Sequence, residues 1–174
     1  NKKNIYFLCA SVTQAKIYYS KKIYMRIALF EPDIPQNTGN IFRFGACLGI
    51  EVDIIEPTGY IFDDKRFRRS SMDYIDHIIY KRHLDWDTFY KWSKENNFRL
   101  ILLTTKSKKK YLDYQFQQND ILLFGRESAG VPKNVHATVD EQLTIPMVKG
   151  LRSINVSSSV ALVAGEACRQ LDLL

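Results

Sequence analysis

The fold is decided by residues 26–48, which read RIALFEPDIPQNTGNIFRFGACL. The apolar run 26–30 is typical of a buried strand, and 37–48 has the length and apolar spacing of a helix that covers a sheet. A polar loop rich in proline, asparagine and glycine lies between them. Strand, loop and helix in this order predict the first unit of an α/β domain.

The same alternation continues along the chain. Apolar or β-branched runs predict further strands at 51–56, 75–80, 99–104, 120–124 and 142–145. Helical spacing predicts further helices at 86–96 and 156–171. The sequence therefore predicts an α/β domain with a mostly parallel sheet flanked by helices.

Composition sets the class of protein. A chain of 174 residues that is 45% hydrophobic is long enough to form one core. Its longest apolar runs, such as 100–103, are far below the roughly 20 residues of a membrane span. Three widely spaced cysteines, an odd number, argue against a disulfide framework and a cysteine zinc site. We expect a cytoplasmic protein that does not enter a membrane.

The charge of the chain favours a polyanionic partner. The formal net charge is +6 and the pI is about 9.2, and lysines and arginines that neutralise phosphates release condensed counterions. The densest charge run, Lys106 to Lys110, follows a predicted strand directly. Two interpretations stay open for it, a solvated loop and a contact with RNA.

The first 24 residues differ from the rest. They contain no methionine, glycine or proline, whereas Met25 is followed at once by the first predicted strand. We expect Met25 to be a natural start, residues 1–24 to be a non-native or disordered extension without a catalytic role, and 25–174 to form the catalytic domain. A signal peptide is the competing interpretation, but the apolar run 5–10 is short for one.

Two common nucleotide-binding patterns are missing from the sequence. A dinucleotide-binding domain usually has G-x-G-x-x-G after its first strand, and this chain contains no G-x-G. Gly125 and Gly130 have the spacing of a P-loop, but Val131 and Pro132 stand where Lys and Ser/Thr are required. An NTPase is therefore not expected.

A catalytic metal is not expected either. The three histidines form no H-E-x-x-H motif and do not pair with cysteines at ligand spacing; they are His77, His83 and His136.

The first candidate functional loop is 31–43, EPDIPQNTGNIFR. Ligands of open α/β sheets bind where loops leave the carboxyl ends of strands. Asn37 or Thr38 could instead simply cap the helix. Arg43 projects roughly 1.7 turns along the helix from Asn37, at 3.6 residues per turn.

The second loop follows the strand within 121–132, ILLFGRESAGVP. Glycine, an acidic residue and small residues predict a tight exit at Gly125, where a ligand can approach the main chain closely. The alternative is an ordinary turn before a helix capped by Ser128.

The third loop contains LTIPM at 143–147 and GLRSINVSSS at 150–159. Ser153 and Asn155 precede an apolar helix and are candidate caps. Ser157 and Ser159 leave room either for close packing or for a bound molecule.

In order and spacing, these loops resemble the SPOUT superfamily of RNA methyltransferases over residues 25–171. The E-P-x-I-P-x-N-T-G-N-I-x-R motif at 31–43, the DDKR run that begins the basic segment 63–69, and Asp73-Tyr74 are similar to the compact SpoU-type tRNA (cytidine/uridine-34) 2′-O-methyltransferases. The resemblance implies a single SPOUT domain with a C-terminal trefoil knot, acting as a homodimer. General topology rules alone would exclude a knot.

The resemblance also implies the site. S-adenosylmethionine would bind on the three loops, at Leu103, Thr104, Gly125, Ile145, Met147 and Ser153. Asn37, Glu127 and Asn155 match the polar positions that link the loops around the methyl donor, and Arg43 matches an arginine that acts at the ribose. Because the pKa of arginine lies above 12, we expect Arg43 to orient phosphate or ribose rather than to act as a base.

The function implied is methylation of the ribose 2′-hydroxyl of the wobble nucleotide, cytidine or uridine 34, on the anticodon stem-loop of tRNA. The alternatives are 2′-O-methylation elsewhere in tRNA or rRNA, and an inactive RNA-binding module of the same fold. Candidate phosphate contacts are Arg66, Arg68, Arg69 and the lysine run 106–110.

Overall fold

The computed structural model describes residues 24–62 and 77–173. Its strands are β1 (Arg26–Phe30), β2 (Glu51–Ile55), β3 (Tyr80–His83), β4 (Arg99–Leu103), β5 (Asp120–Phe124) and β6 (Glu141–Leu143). Its helices are α1 (Pro35–Leu48), α2 (Trp86–Glu95), α3 (Lys133–Thr138) and α4 (Val156–Gln170), with a 3₁₀ turn at Tyr111–Asp113. The basic segment 63–69, Asp73-Tyr74 and nearly all of the extension predicted at 1–24 lie outside the described residues.

The six strands form one sheet in the order β3-β2-β1-β5-β4-β6, and every pair of neighbours is parallel. The prediction of an α/β fold with a mostly parallel sheet is confirmed. Side chains of α1 and α4 pack in the core on one face of the sheet, and side chains of α2 and α3 pack in the core on the other. Burial of both faces explains the continuous apolar runs of the central strands.

Two of the predicted strands are shifted. β3 begins at Tyr80, where the predicted strand 75–80 ends. The prediction was placed too early because it relied on the apolar Ile78 and Ile79. As an edge strand, β3 needs only one hydrogen-bonded neighbour and tolerates exposed charges such as Lys81. β6 begins one residue earlier than predicted and ends at Leu143, because the main chain turns away before the Ile-Pro-Met segment.

Helix α1 has clear signals at both ends. Pro35 occupies its first turn, where the missing N–H costs nothing, and Gly49 ends it in the left-handed region with φ of 69°. Within the helix, a Cβ added to Gly45 would lie 2.6 Å from the Ile50 carbonyl oxygen. The glycine therefore lets α1 lie close to β2.

The segment after β6 runs against the connection between β4 and β5. Thr144 N–H donates to the Lys109 carbonyl at 2.8 Å, and Tyr111 N–H donates to the Thr144 carbonyl at 3.0 Å. These bonds hold the third loop beside the residues that follow β4. The trefoil knot stays a prediction, because it concerns how the chain threads rather than which strands pair. In the portion of the chain that the structure describes, no helix is long and apolar enough to cross a membrane.

Candidate active site at the carboxyl edge of the sheet

The carboxyl ends of β1 and β5 lie side by side at the centre of the sheet. The chain leaves β1 towards α1 on one face and leaves β5 towards α3 on the other. Such a divergence opens a crevice, which is where open α/β sheets bind their ligands.

A cavity of about 640 Å³ lies at this edge. Its volume is within the range of small-molecule sites, about 300 to 1,000 Å³. The exits of β4, β5 and β6 and the start of α4 contribute to its wall. The six predicted cofactor-binding residues all line it, namely Leu103, Thr104, Gly125, Ile145, Met147 and Ser153. Their role in binding stays a prediction.

Three polar side chains from distant parts of the chain meet in the cavity wall. Asn37 Nδ2 donates to Glu127 Oε1 at 2.8 Å, and Asn155 Nδ2 donates to Asn37 Oδ1 at 3.0 Å. Asn37 is buried although it is polar, so its amide needs both partners. The chain of bonds runs from the third loop through the first to the second, and the predicted linking residues are in contact.

Asn155 also caps α4. Its Oδ1 accepts from the N–H groups of Ser157 at 2.9 Å and Ser158 at 3.3 Å, as the sequence suggested. Asn37 does not cap α1: the residue before that helix is Ile34, which makes no side-chain cap. The capping interpretation is therefore correct for Asn155 and wrong for Asn37, whose side chain is committed to the site.

Asp33 and Glu127 bind each other through reciprocal bonds. Asp33 N–H donates to Glu127 Oε2 at 3.0 Å, and Glu127 N–H donates to Asp33 Oδ1 at 3.1 Å. Ser128 donates both its N–H and its hydroxyl to the Asp33 carboxylate. Ser128 is thus a partner of Asp33 rather than the cap of α3, which begins at Lys133 without a side-chain cap.

The two carboxyl groups of this pair differ in acidity. Hydrogen bonds from Glu127 and Ser128 lower the pKa of Asp33 to about 2. Burial, together with the neighbouring Asp33 carboxyl, raises the pKa of Glu127. The pair therefore combines a strongly acidic carboxyl with one that takes up a proton more readily than usual.

Gly125 and Gly59 shape the loops around this pair. A Cβ on Gly125 would lie 2.6 Å from the carbonyl carbon of Gly130, so the glycine permits the loop to close on itself. Gly125 also lines the cavity, and the approach of a ligand to its main chain stays a prediction. A Cβ on Gly59 would lie 2.6 Å from the Asp33 Cβ, so a larger residue at position 59 would displace Asp33.

Arg43 lies apart from these residues. It is exposed on α1 and is not part of the cavity wall. Of the lysine run 106–110, Lys106 lines the cavity. Lys109 pairs with Glu141 at 3.0 Å, so that lysine serves the local structure.

Sequence reasoning missed three features of the site. Asp33 was quoted within its motif but was given no role. The other two are pairs that line or brace the cavity, Arg126 with Glu31 and His136 with Gln142. Spacing along the chain gives no signal for either Asp33 or Arg126, because their partners come from different strand exits.

Known proteins are similar to this chain in sequence. Residues 24–165 match the SpoU rRNA methylase family. A tRNA (cytidine(34)-2′-O)-methyltransferase of Beijerinckia indica is 49% identical over 148 residues, which cover 85% of this chain and 92% of the relative.

Solved structures are similar as well. A structure described as giving insight into 2-OH methylation of C/U34 on tRNA is 32% identical, with a TM-score of 0.79. The match covers 85% of this chain and 96% of the chain in that structure. A SpoU methyltransferase of Streptomyces viridochromogenes in complex with AdoMet has a TM-score of 0.78 at 21% identity, and the match covers 90% of this chain and 64% of that chain. At this identity the likeness shows only that the two chains share a fold. The family match spans most of the chain, and the chain therefore belongs to the SpoU methylase family.

Proposed function

We propose that this chain transfers a methyl group from S-adenosylmethionine to the ribose 2′-hydroxyl of nucleotide 34 in tRNA. The observation that carries the proposal is the bonded series Asn155–Asn37–Glu127 in the wall of the cavity. The names of the similar proteins support nucleotide 34 as the target.

The cavity fits the cofactor in size and in chemistry. Its wall combines apolar residues, such as Leu103 and Ile145, with polar residues of the loops, such as Thr104 and Ser153. Such a wall suits a ligand with a flat base, a ribose and a polar tail. S-adenosylmethionine supplies an electrophilic methyl group on a positively charged sulfur.

The residues of the chain would act mainly by positioning. Alignment of two reactants can contribute about 7 to 11 kcal/mol to the lowering of a barrier. Both polar atoms of the Asn37 amide are hydrogen-bonded, one to Glu127 and one to Asn155. These bonds would keep the three loops in place during the reaction. A fixed polar wall of this kind stabilises charge that develops in the transition state.

Glu127 is the proposed acceptor of the hydroxyl proton. Each of its carboxylate oxygens accepts one hydrogen bond from Asn37 or Asp33, and a carboxylate oxygen has a second lone pair available. Burial raises its pKa, which brings a carboxylate closer to the range in which it serves as a general base. Arg43 would orient a phosphate or ribose.

A second copy of this chain is the proposed partner in solution. Apolar side chains are exposed near the cavity mouth and on the neighbouring helix α4, among them Ile34, Leu151, Ile154 and Leu162. Exposed apolar side chains favour association where they adjoin one another. A homodimer would bring a second set of basic residues, including a second Arg43, to the bound RNA. Light scattering on the purified protein measures its molar mass in solution and so distinguishes a monomer from a dimer.

The function is tested by ribose-methylation mapping of total tRNA incubated with the protein and S-adenosylmethionine. We expect a new 2′-O-methyl group at position 34 of a subset of tRNAs. Methylation at another tRNA or rRNA position would replace the proposed target. If calorimetry detected no binding of S-adenosylmethionine, the proposal that the chain is a methyltransferase would be contradicted.

Glu127→Gln is the test variant, because the amide keeps the shape of the side chain but is not a base. Its single oxygen can keep only one of the two hydrogen bonds that the carboxylate accepts. We expect its kcat to fall by about 100-fold or more, within the 10²–10⁴ range of general-base catalysis. S-adenosylmethionine should still bind to this variant.

A further inference from the structure

The main chain at Arg126 is fixed by the loop that follows β5. Arg126 N–H donates to the Gly130 carbonyl at 3.2 Å, and Gly130 N–H donates to the Arg126 carbonyl at 2.8 Å. Gly130 has a φ of 69°, and a Cβ added to Gly125 would lie 2.6 Å from the Gly130 carbonyl carbon. The base of the Arg126 side chain therefore has little freedom.

The guanidinium of Arg126 is only partly satisfied. One terminal nitrogen, Nη2, pairs with Glu31 Oε2 at 2.9 Å, and the side chain is 32% exposed. Its Nε is buried and has no hydrogen-bond partner among the described residues. A guanidinium has five N–H donors, and a buried donor without a partner is costly. The group is suited to a further acceptor that the chain does not supply.

Arg126 is also well located for a role in the reaction. It lines the cavity and directly precedes Glu127 in the sequence. Glu31, at the exit of β1, holds the guanidinium between the first and second loops. Within one chain Arg126 lines this cavity and Arg43 does not.

The charges of the wall favour a phosphate as the missing acceptor. Two more cations, Lys106 and Arg152, line the same cavity. S-adenosylmethionine has one carboxylate beside its ammonium and sulfonium groups, so its net charge is positive and it does not account for three cations. RNA, in contrast, carries one negative charge per nucleotide. The planar guanidinium matches two oxygens of a phosphate with parallel hydrogen bonds.

We propose that Arg126 binds a backbone phosphate of the RNA next to the ribose that is methylated. This inference rests on the proposed function, since it assumes that RNA enters this cavity. Glu31 orients the guanidinium, and the phosphate would accept hydrogen bonds from the terminal N–H groups that the ion pair leaves over.

Arg126→Gln tests the inference with tRNA as the ligand. We expect the KM for tRNA to rise roughly 10- to 100-fold, the effect of one hydrogen bond to a charged group. The slope of log K for tRNA binding against log salt should become shallower by roughly 0.7 to 0.9, the loss of one phosphate contact. The dissociation constant for S-adenosylmethionine should change by less than about twofold. Arg126→Lys should retain the salt slope and recover part of the affinity.

Two control variants separate binding from a structural role. Arg169→Gln removes the same charge from the exposed end of α4, outside the cavity wall, and should leave the KM for tRNA and the salt slope near those of the wild type. Glu31→Gln removes the partner of Arg126 and should retain the wild-type slope, because the cation stays.

An unchanged salt slope in Arg126→Gln would overturn the inference, as would equal changes of slope in Arg126→Gln and Glu31→Gln. Weaker cofactor binding with unchanged tRNA binding would overturn it too, since the acceptor would then belong to the cofactor. In each of these cases, methylation of nucleotide 34 by the wild-type protein would leave the proposed function intact.

Discussion

Asn155 Nδ2 lies 3.0 Å from Asn37 Oδ1, although the two residues are 118 positions apart in the sequence. The bond joins the first turn of α1 to the residue that caps α4. Glu127 accepts a hydrogen bond from the Nδ2 atom of the same Asn37 amide. The orientation of the amide is fixed by this arrangement, because only a nitrogen can donate to the carboxylate and only an oxygen can accept from Asn155.

The first prediction concerns this amide. Asn37→Asp replaces the donor towards Glu127 with an oxygen and brings two carboxylates together. We expect kcat/KM for tRNA to fall about 10- to 100-fold, because a hydrogen bond to a charged group is lost and repulsion is added. Steady-state methylation assays measure it. Asn40→Asp, an exposed position on α1, is the control. Wild-type kcat/KM in Asn37→Asp would contradict a role for the linked amides.

Arg43→Ala is expected to lower turnover on tRNA by about 10-fold or more, the cost of one lost contact to a charged group. Cofactor affinity should stay at the wild-type value, because Arg43 does not line the cavity. Single-turnover assays and calorimetry measure the two quantities separately. Turnover equal to that of the wild type would rule out a role for Arg43 at the ribose.

The Asp33–Glu127 pair predicts a dependence of stability on pH. The pKa of Asp33 is lowered from 3.8 to about 2 in the folded protein. This group therefore contributes stability above pH 4, and the contribution is lost as the pH falls towards 2. The raised pKa of Glu127 acts in the opposite sense, since its contribution is present at low pH and is lost as the pH rises through the folded value.

Asp33→Asn isolates the first of these contributions. We expect the difference in Tm between wild type and variant to be largest above pH 4 and to shrink between pH 4 and pH 2. Thermal unfolding followed by circular dichroism measures it. A constant difference over this range would show that the carboxylate is not stabilised by its hydrogen bonds.

His136 is predicted to support the cofactor through its second ring nitrogen. Gln142 Nε2 donates to the His136 carbonyl at 2.8 Å, so Gln142 Oε1 must accept from His136 Nδ1 at 3.0 Å. In the neutral ring, Nε2 then carries a lone pair, and the residue lines the cavity. His136→Asn keeps a donor near the position of Nδ1 and removes Nε2.

We expect His136→Asn to raise the dissociation constant for S-adenosylmethionine by about 5- to 10-fold, in line with one neutral hydrogen bond. Isothermal calorimetry gives the value, and His77→Asn at an exposed position serves as the control. Equal affinity in wild type and His136→Asn would remove His136 from the cofactor site.

Asp53 is predicted to be essential for stability. It is fully buried and binds Arg26 through both oxygens, at 2.6 and 3.1 Å, and His83 at 2.8 Å. Asp53→Ala leaves the buried Arg26 without this partner and should lower the free energy of unfolding by about 3 to 5 kcal/mol. Urea denaturation measures this value.

Glu56→Ala is the control for Asp53→Ala, because Glu56 pairs with Arg82 near the surface. Its expected cost is about 0 to 1 kcal/mol, as for other exposed ion pairs. Similar costs for the two variants would contradict the special importance of the buried carboxylate.

Local sequence patterns predicted the central strands because buried parallel strands are short, continuous and apolar, as in 120–124. They failed at β3, where one-sided pairing permits Lys81 and Arg82. The helix Lys133–Thr138 is too short for a clear apolar period, and a helix after the second loop was only the alternative interpretation. The polar residues Asn37, Glu127 and Asn155 were found only through the order of all three loops. Arg126 was missed because its partner Glu31 is known only once β1 lies beside β5.

The pairing of β1 with β5 also bears on how the chain matures during synthesis. β1 is made before the other five strands described, but its second neighbour, β5, is made only after β2, β3 and β4. At about 5 to 20 residues per second, β1 keeps one open edge for on the order of ten seconds. An unpaired edge is a template for aggregation, so newly made chains are most vulnerable in this interval, and slower translation between β3 and β5 would lengthen it.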